Sequence, residues 1–271
     1  MRKIIAIGGG EIGRPKKDKD GNYSGFYPIE TTLIDKAILS STGKKNPSLL
    51  FIPIASRDST RYYEIVKTHF TNVGFSTVDP LYLSDKSLTK EHIKKSLLSY
   101  DAIYVGAGTT IRMMKTFRRL KIEPIIKKAL DKGVVLSGLC AGSICWFNYG
   151  NSESRRFCEG TDKYIRVRGL GLIDALVSPH FNEDPDRRLK LKTIMKRTPG
   201  VAIALDNCAA IQVEGEEYRL IRSVSGAKAN KIYWKNGEYI IEELPFDGRL
   251  RSLSELLNKA EGANEAAKSS R

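Results

Sequence analysis

In Gly133-Val134-Val135-Leu136-Ser137-Gly138-Leu139-Cys140-Ala141-Gly142-Ser143 an apolar run ends in a thiol held between glycines. A helix-like segment, Ile144-Cys145-Trp146-Phe147, follows it. Strand, glycine-flanked turn and helix in that order have the form of a nucleophile elbow, G-x-(Ser/Cys)-x-G. The glycines let the chain turn tightly and approach the strand, so the side chain between them is thrust out over the sheet edge. Amides at the start of the following helix stand behind it.

Outward from this turn, the first half of the chain alternates two kinds of segment. Short runs rich in Ile, Val, Leu or Tyr (Lys3–Ile7, Ser48–Ile54, Ser76–Leu83, Asp101–Val105, Val134–Ser137) read as strands. Amphipathic stretches between them (Glu30–Leu39, Arg61–Val73, Lys90–Leu98, Ile111–Leu120, Pro124–Lys132) read as helices. This βαβα rhythm predicts an α/β fold with a mostly parallel sheet and helices on both faces. Ligand sites in such sheets gather at the carboxyl ends of strands. Three glycine loops follow expected strands: Gly8-Gly9-Gly10, Gly106-Ala107-Gly108-Thr109 and the Cys140 turn itself.

The second half changes character. Val201–Leu205, Ala209–Val213, Tyr218–Arg222, Lys231–Trp234 and Tyr239–Glu243 read as short strands with turns such as Glu214-Gly215 and Asn236-Gly237 between them. They are expected to form a small antiparallel C-terminal extension of the same domain, closed by a helix over Arg251–Leu257. One domain over residues 1–260 is expected, with 261–271, small and polar, as a frayed tail.

Composition narrows the function classes. With 41% hydrophobic and 28% charged residues the chain has the balance of a soluble globular protein. No apolar run has the length needed to span a bilayer, and Met1–Gly8 reads as a first strand and not as a signal peptide. A cytoplasmic protein without membrane attachment is expected. The net charge of +14 comes from lysines and arginines scattered through helix-like segments, with no aromatic-interleaved basic motif, so no nucleic-acid partner is expected. The four cysteines, Cys140, Cys145, Cys158 and Cys208, show no C-x-x-C pair and no metal-ligand spacing, which points to free thiols.

A thiol at an elbow needs a base, and the chain has three histidines. His69 and His92 lie in charged helix-like stretches and read as surface or boundary residues. His180, in Val177-Ser178-Pro179-His180-Phe181-Asn182, sits where a strand gives way to a loop, the position catalytic side chains take in this architecture. A carboxylate should orient the imidazole. Glu153, Glu159, Asp162, Asp174 and Asp206 all qualify by position, and spacing does not choose among them. An oxyanion needs two amides, for which Ala141 and the Gly106–Gly108 loop are placed.

The ordered motifs Tyr104-Val105-Gly106-Ala107-Gly108-Thr109-Thr110, Gly138–Phe147, and Gly169–Asp174 followed by Ser178-Pro179-His180-Phe181 resemble the dipeptidase E and cyanophycinase family. These are serine peptidases on a flavodoxin-like α/β sandwich of three layers, related to class I glutamine amidotransferases. The resemblance implies that Cys140 stands at the position of the family's serine nucleophile, with Ser143 merely the small residue after the second glycine. It implies His180 as the histidine, Ala141 and Gly108 as oxyanion donors, and Glu153 as the acid, with Glu159 and Asp162 next. The family loop G-G-G-N-T is altered here at Ala107 and Thr109, and sulfur replaces oxygen at the elbow. The expectation is a peptidase acting on small peptides, Asp-X dipeptides among them. Cys140 attacks, His180 relays the proton and Glu153 orients the ring, in a monomer or homodimer that needs no metal or organic cofactor. A glutaminase-type amidohydrolase and an inactive relative using Cys140 as a redox-reactive thiol are the rivals. Arg57, Arg166 and Arg168 are candidates for a cationic pocket serving an aspartyl substrate.

Overall fold

The computed structural model describes residues 1–155, 160 and 164–258. The first half runs β1 (Lys3–Ile7), the hairpin β2 (Pro15–Lys17) and β3 (Tyr23–Phe26), α1 (Thr32–Ser41), β4 (Ser48–Ile52), α2 (Thr60–Val73), β5 (Thr77–Pro80), α3 (Lys90–Ser99), β6 (Ala102–Val105), α4 (Thr110–Arg119), α5 (Glu123–Asp131) and β7 (Val135–Leu139). Then come α6 (Ala141–Ile144), β8 (Phe147–Ser152), β9 (Ile165–Arg168), β10 (Ile173–Ser178), α7 (Pro185–Met195) and β11 (Ala202–Leu205). The chain closes with β12 (Ala209–Glu214), β13 (Glu217–Arg222), β14 (Ala229–Lys235), β15 (Glu238–Glu243), β16 (Arg251–Ser252) and α8 (Leu253–Leu257).

The first sheet has the order β16-β13-β12-β1-β7-β6-β4-β5. Its five strands from β1 to β5 are parallel, and β12, β13 and β16 continue it antiparallel. Side chains alternate between the faces with the strand period of two. Ile5 and Ile7 pack with Ile34 and Ile38 of α1 and Val66 and Phe70 of α2. Ile4 and Ala6 face Ile93 of α3, Met113 and Phe117 of α4 and Ile126 of α5. Each isoleucine sealed in this way contributes about 1.5–3 kcal/mol. The expected three-layer α/β sandwich, with a mostly parallel sheet and antiparallel C-terminal strands, is the architecture found.

A second sheet, of order β15-β14-β11-β10-β8-β9, was not expected. One face (Ala175, Val177, Ile203, Tyr233) joins the core beneath α4 and α5, and the other (Leu176, Ala202, Ala204, Ile232) is covered by Leu191 and Met195 of α7. The expected antiparallel extension is therefore divided. Val201–Leu205 falls on β11, which pairs parallel with β10, and β14 and β15 follow it in the second sheet. The helix after Cys140 is also shorter than Ile144–Phe147 implied. It ends at Ile144, and Phe147 opens β8, pairing with Ile173 of β10. Asn148, Gly150 and Asn151 interrupt the apolar pattern that would have marked β8 as a strand. Among the described residues no helix is long and apolar enough to cross a membrane. The tail 261–271 lies outside the described residues.

Candidate active site

Cys140 follows β7 and is the first residue beyond the sheet edge, with φ 55° and ψ −107°. So sparsely populated a conformation costs on the order of 1–3 kcal/mol and persists only where its surroundings enforce it. Here the Cys140 amide donates to Ile7 O at 3.1 Å, and the flanking glycines permit close packing on both sides. A Cβ on Gly138 would lie 2.6 Å from the Gly142 carbonyl carbon, and one on Gly142 would lie 2.0 Å from Val105 O. Ser143 is fully buried behind the turn, and its hydroxyl finds no partner among the described residues.

His180 comes from the other sheet, two residues past β10. Its amide donates to Gly8 O at 3.1 Å, which hangs the loop from the end of β1. Gly9 lies directly under the ring: a Cβ there would meet Asn207 Oδ1 at 2.0 Å and His180 Nδ1 at 2.4 Å. The first glycine loop is thus the floor of the site. Nδ1 reaches Asn207 Oδ1 at 2.6 Å and Glu183 Oε2 at 3.1 Å. The Asn207 amide nitrogen in turn donates to Glu183 Oε1. These two contacts orient the Asn207 amide with its oxygen toward the ring, which makes Nδ1 the donor and leaves Nε2 for the thiol. The Cys140 thiol and the His180 ring stand close enough that each shifts the other's titration.

The electrostatics follow from that contact. Burial alone would push the Cys140 thiol up, but the His180 imidazolium, its hydrogen bond and the Arg187 charge together hold it below the ordinary thiol value, with Glu153 opposing. Burial would push His180 down; the Cys140 thiolate and then Glu183 overcome it and raise the ring to about 10. Both shifts favour the thiolate–imidazolium form of the pair. Cys145, five residues on, shows the contrast: its thiol donates to Gly142 O at 3.0 Å in an apolar setting, and burial drives it well above the ordinary value.

Glu153, expected to orient His180, does not hold Nδ1; Asn207 and Glu183 do. Glu153 Oε2 instead lies 3.6 Å from Nη2 of the buried Arg187. The reason is local: β8 and β11 both pair with β10, but β8 carries Glu153 to the start of α4, whereas the turn after β11 leads Asn207 back to the His180 loop, where its amide donates to Asn182 Oδ1 at 2.9 Å. Asp174 accepts from Asn148, and Asp206 accepts from the Lys228 amide at 3.0 Å. Glu159, Asp162 and Cys158 lie outside the described residues. Asn207, Glu183, Gly9 and Arg187 are the site residues that sequence reasoning missed. A polar Asp206-Asn207 step at the end of a strand was the available signal for Asn207.

The amides around the sulfur can be accounted for one by one. Gly106 N donates to Ile52 O, Ala107 N to Tyr62 Oη and Thr109 N to Ala55 O. Among the described residues this leaves the amide of Gly108 and those of the first turn of α6, Ala141, Gly142 and Ser143, without an internal acceptor, and of that turn Ala141 directly follows the sulfur's residue. Gly108 has φ 137°, and a Cβ there would be 2.4 Å from Ala55 O, so glycine is required. Of the three arginines considered for a cationic pocket, Arg166 donates to Arg197 O and lies over Tyr149, and Arg57 is exposed. Arg168 lines a cavity of about 710 Å³ that none of the site residues borders. The cation brought to the site is Arg187.

A sequence model of peptidase family S51 matches residues 24–221. The uncharacterized peptidase YgaJ of Bacillus subtilis is 28% identical over 250 residues, covering 90% of this chain and 97% of its own. A probable alpha-aspartyl dipeptidase of Drosophila melanogaster is 24% identical over 189 residues, covering 64% of this chain and 72% of its own. The crystal structure of a peptidase from an acI-B1 actinobacterium shares the fold, with a TM-score of 0.66 at 19% identity over 93% of this chain and 97% of that one. With most of its length matched by the family, the chain belongs to peptidase family S51 and is a peptidase.

Proposed function

We propose that this peptidase cleaves short peptides with Cys140 as nucleophile, His180 as proton carrier and Asn207, backed by Glu183, as the group that holds the ring. The observation that carries this reading is the His180 ring held by Asn207 Oδ1 at 2.6 Å and coupled in charge to the Cys140 thiol. Cys-His-Asn is the set that thiol peptidases use on unrelated folds.

The steps use groups already described. The Cys140 thiolate attacks the scissile carbonyl, and the oxygen that gains the negative charge sits between the amides of Ala141 and Gly108. His180 gives its proton to the departing amine, leaving a thioester on Cys140. Water then adds to the thioester as His180 takes its proton, and collapse releases the acid and restores the thiol pair. A serine enzyme creates the imidazolium only during reaction and gains from a buried carboxylate beside it. With a resting thiolate the imidazolium already has a counter-ion, so a neutral amide suffices to hold the ring. Asn207 therefore supports sulfur as the working nucleophile and not as a lesion in a serine enzyme.

The test compares wild type, Cys140→Ser and Cys140→Ala on dipeptides, with Asp-X dipeptides first because a relative is named for aspartyl dipeptides. Glutamine serves as the competing amide. Wild type should cleave a peptide, and Cys140→Ser should lose about 10³-fold or more in kcat/KM. Peptide cleavage appearing only in the serine variant would refute the thiol mechanism, and release of ammonia from glutamine alone would refute the substrate class.

A further inference from the structure

The cavity of about 710 Å³ that Arg168 lines is bordered by none of the peptidase site residues, and its walls combine charge with apolar surface. One wall is the junction of α4 and α5; the other is the start of β8 with the loop from Arg168 to Gly171. Arg118, Lys121 and Arg168 bring three cations to it, and among the described residues none of them forms an ion pair. Glu123 brings a carboxylate, but Lys127 Nζ already holds it at 2.9 Å. Arg118 is fixed across the walls, its Nη2 donating to Arg168 O at 2.7 Å. The loop is fixed too: the amides of Gly169, Leu170 and Gly171 donate to Asn148 O, Cys145 O and Phe147 O at 3.0, 2.8 and 3.1 Å. An anion here would be gripped by side chains and not by a nest of amides.

Lys121 supplies an independent observation. It follows Leu120, the C-cap of α4, in a Schellman turn: its amide donates to Arg118 O, and that of Ile122 to Phe117 O. Its φ is 52°, a conformation that favours glycine at this position. Lysine there gains the turn nothing that glycine would not supply; what it adds is a charge at the cavity. Three cations without counter-ions are matched by a diphosphate in one compact group, whereas a single carboxylate leaves two of them unmatched. Arginine forks suit phosphate oxygens in particular. The apolar part of the walls, Phe117, Pro124 and Leu170, offers cover for an organic body, and the volume is that of a small-molecule site. We propose that this cavity is a second binding site, for a small organic diphosphate held by Arg118, Lys121 and Arg168 with its uncharged part against the apolar wall.

The test is calorimetric titration of the full chain with ADP, pyrophosphate and citrate at one ionic strength. ADP should bind once per chain, about tenfold or more tighter than pyrophosphate, which lacks the organic part, or citrate, which lacks phosphate. Arg118→Gln and Arg168→Gln should each weaken ADP by about tenfold or more. Lys121→Gly should weaken it comparably without lowering the melting temperature, because glycine suits the left-handed turn; this variant separates a lost contact from a damaged fold. Lys67→Gln, on α2 across the first sheet, should leave the affinity unchanged, which controls for the net charge of +14. Alkylating Cys140 with iodoacetamide, or adding a dipeptide, should also leave ADP binding unchanged. The proposal is overturned if ADP shows no saturable binding, if Lys67→Gln weakens it as much as the three cavity variants do, or if alkylation or a dipeptide displaces it. Pyrophosphate or citrate binding as tightly as ADP would overturn the ligand class.

Discussion

His69 on α2 and His180 beyond β10 both reach a carboxylate oxygen, at 2.7 Å to Asp35 and 3.1 Å to Glu183, in opposite surroundings. His69, expected near the surface, is 4% exposed. It joins Asp35 of α1, which also accepts from Thr31 Oγ1 at 2.6 Å, so the pair pins two helices over the same face of the sheet. His180 stands at a strand end, coupled in charge to the Cys140 thiol, with a fifth of its side chain exposed. A histidine–carboxylate contact is thus no mark of catalysis; what differs is access and a third group to exchange protons with. The largest effects should separate the two. His180→Ala should cost about 10³-fold or more in kcat/KM with little change in the melting temperature. His69→Ala strands a buried carboxyl group and should cost on the order of 3 kcal/mol in a denaturant titration, while activity per folded molecule stays within about twofold. Loss of activity from folded His69→Ala would break the comparison.

The floor of the site sharpens it further. A methyl group at Gly9 has nowhere to go without moving His180 or Asn207, whereas a Cβ at Gly226 meets nothing within 4 Å. Gly9→Ala should therefore lower kcat/KM by about 10²-fold, the scale of an ångström's misplacement of catalytic groups. Gly226→Ala should change it little. Steady-state kinetics on the two variants decides, and near-wild-type activity in Gly9→Ala would mean that the ring is not held as described.

Much of this was legible in the chain. The apolar runs of the first sheet are buried on both faces and announce themselves as strands. The Cys140 turn is marked by glycines that only close packing demands, and His180 by the end of an apolar run. The second sheet was hidden because β8, with Asn148, Gly150 and Asn151, carries no clean alternation. Misreading it displaced the acid as well. Chain order put Glu153 one loop after the nucleophile, but β8 and β11 both flank β10, and the choice between Glu153 and Asn207 is made by where the turns after them lead, a contact across 27 residues of sequence that no local pattern encodes. Arg187 was invisible for a related reason: it reads as one of several charges on an exposed helix and proves to be buried against β8.

The smallest effect concerns how Glu183 and Asn207 share the ring. Asn207 is nearer and better covered, while Glu183 keeps 53% of its side-chain surface exposed, so solvent screens its charge. The direction of the pH effect follows from the two members of the pair. His180 is raised from its ordinary 6.5 to about 10, so the stability it lends is complete below pH 6.5 and is lost as pH rises through about 10. Cys140 is lowered from 9.0, so its contribution is complete above that value and is lost as pH falls through the lowered one. The thiolate–imidazolium pair persists between the lowered thiol value and about 10. Glu183→Gln removes one of the groups that raise His180, so the alkaline limb should retreat from about 10 toward 6.5. Alkylation by iodoacetamide should leave the acid limb, which belongs to the sulfur, nearly in place. In the peptidase assay the loss should be severalfold at pH 9 and slight at neutral pH. An alkaline limb that does not move would assign the ring to Asn207 alone, with Glu183 acting only as the acceptor that keeps the Asn207 amide turned the right way.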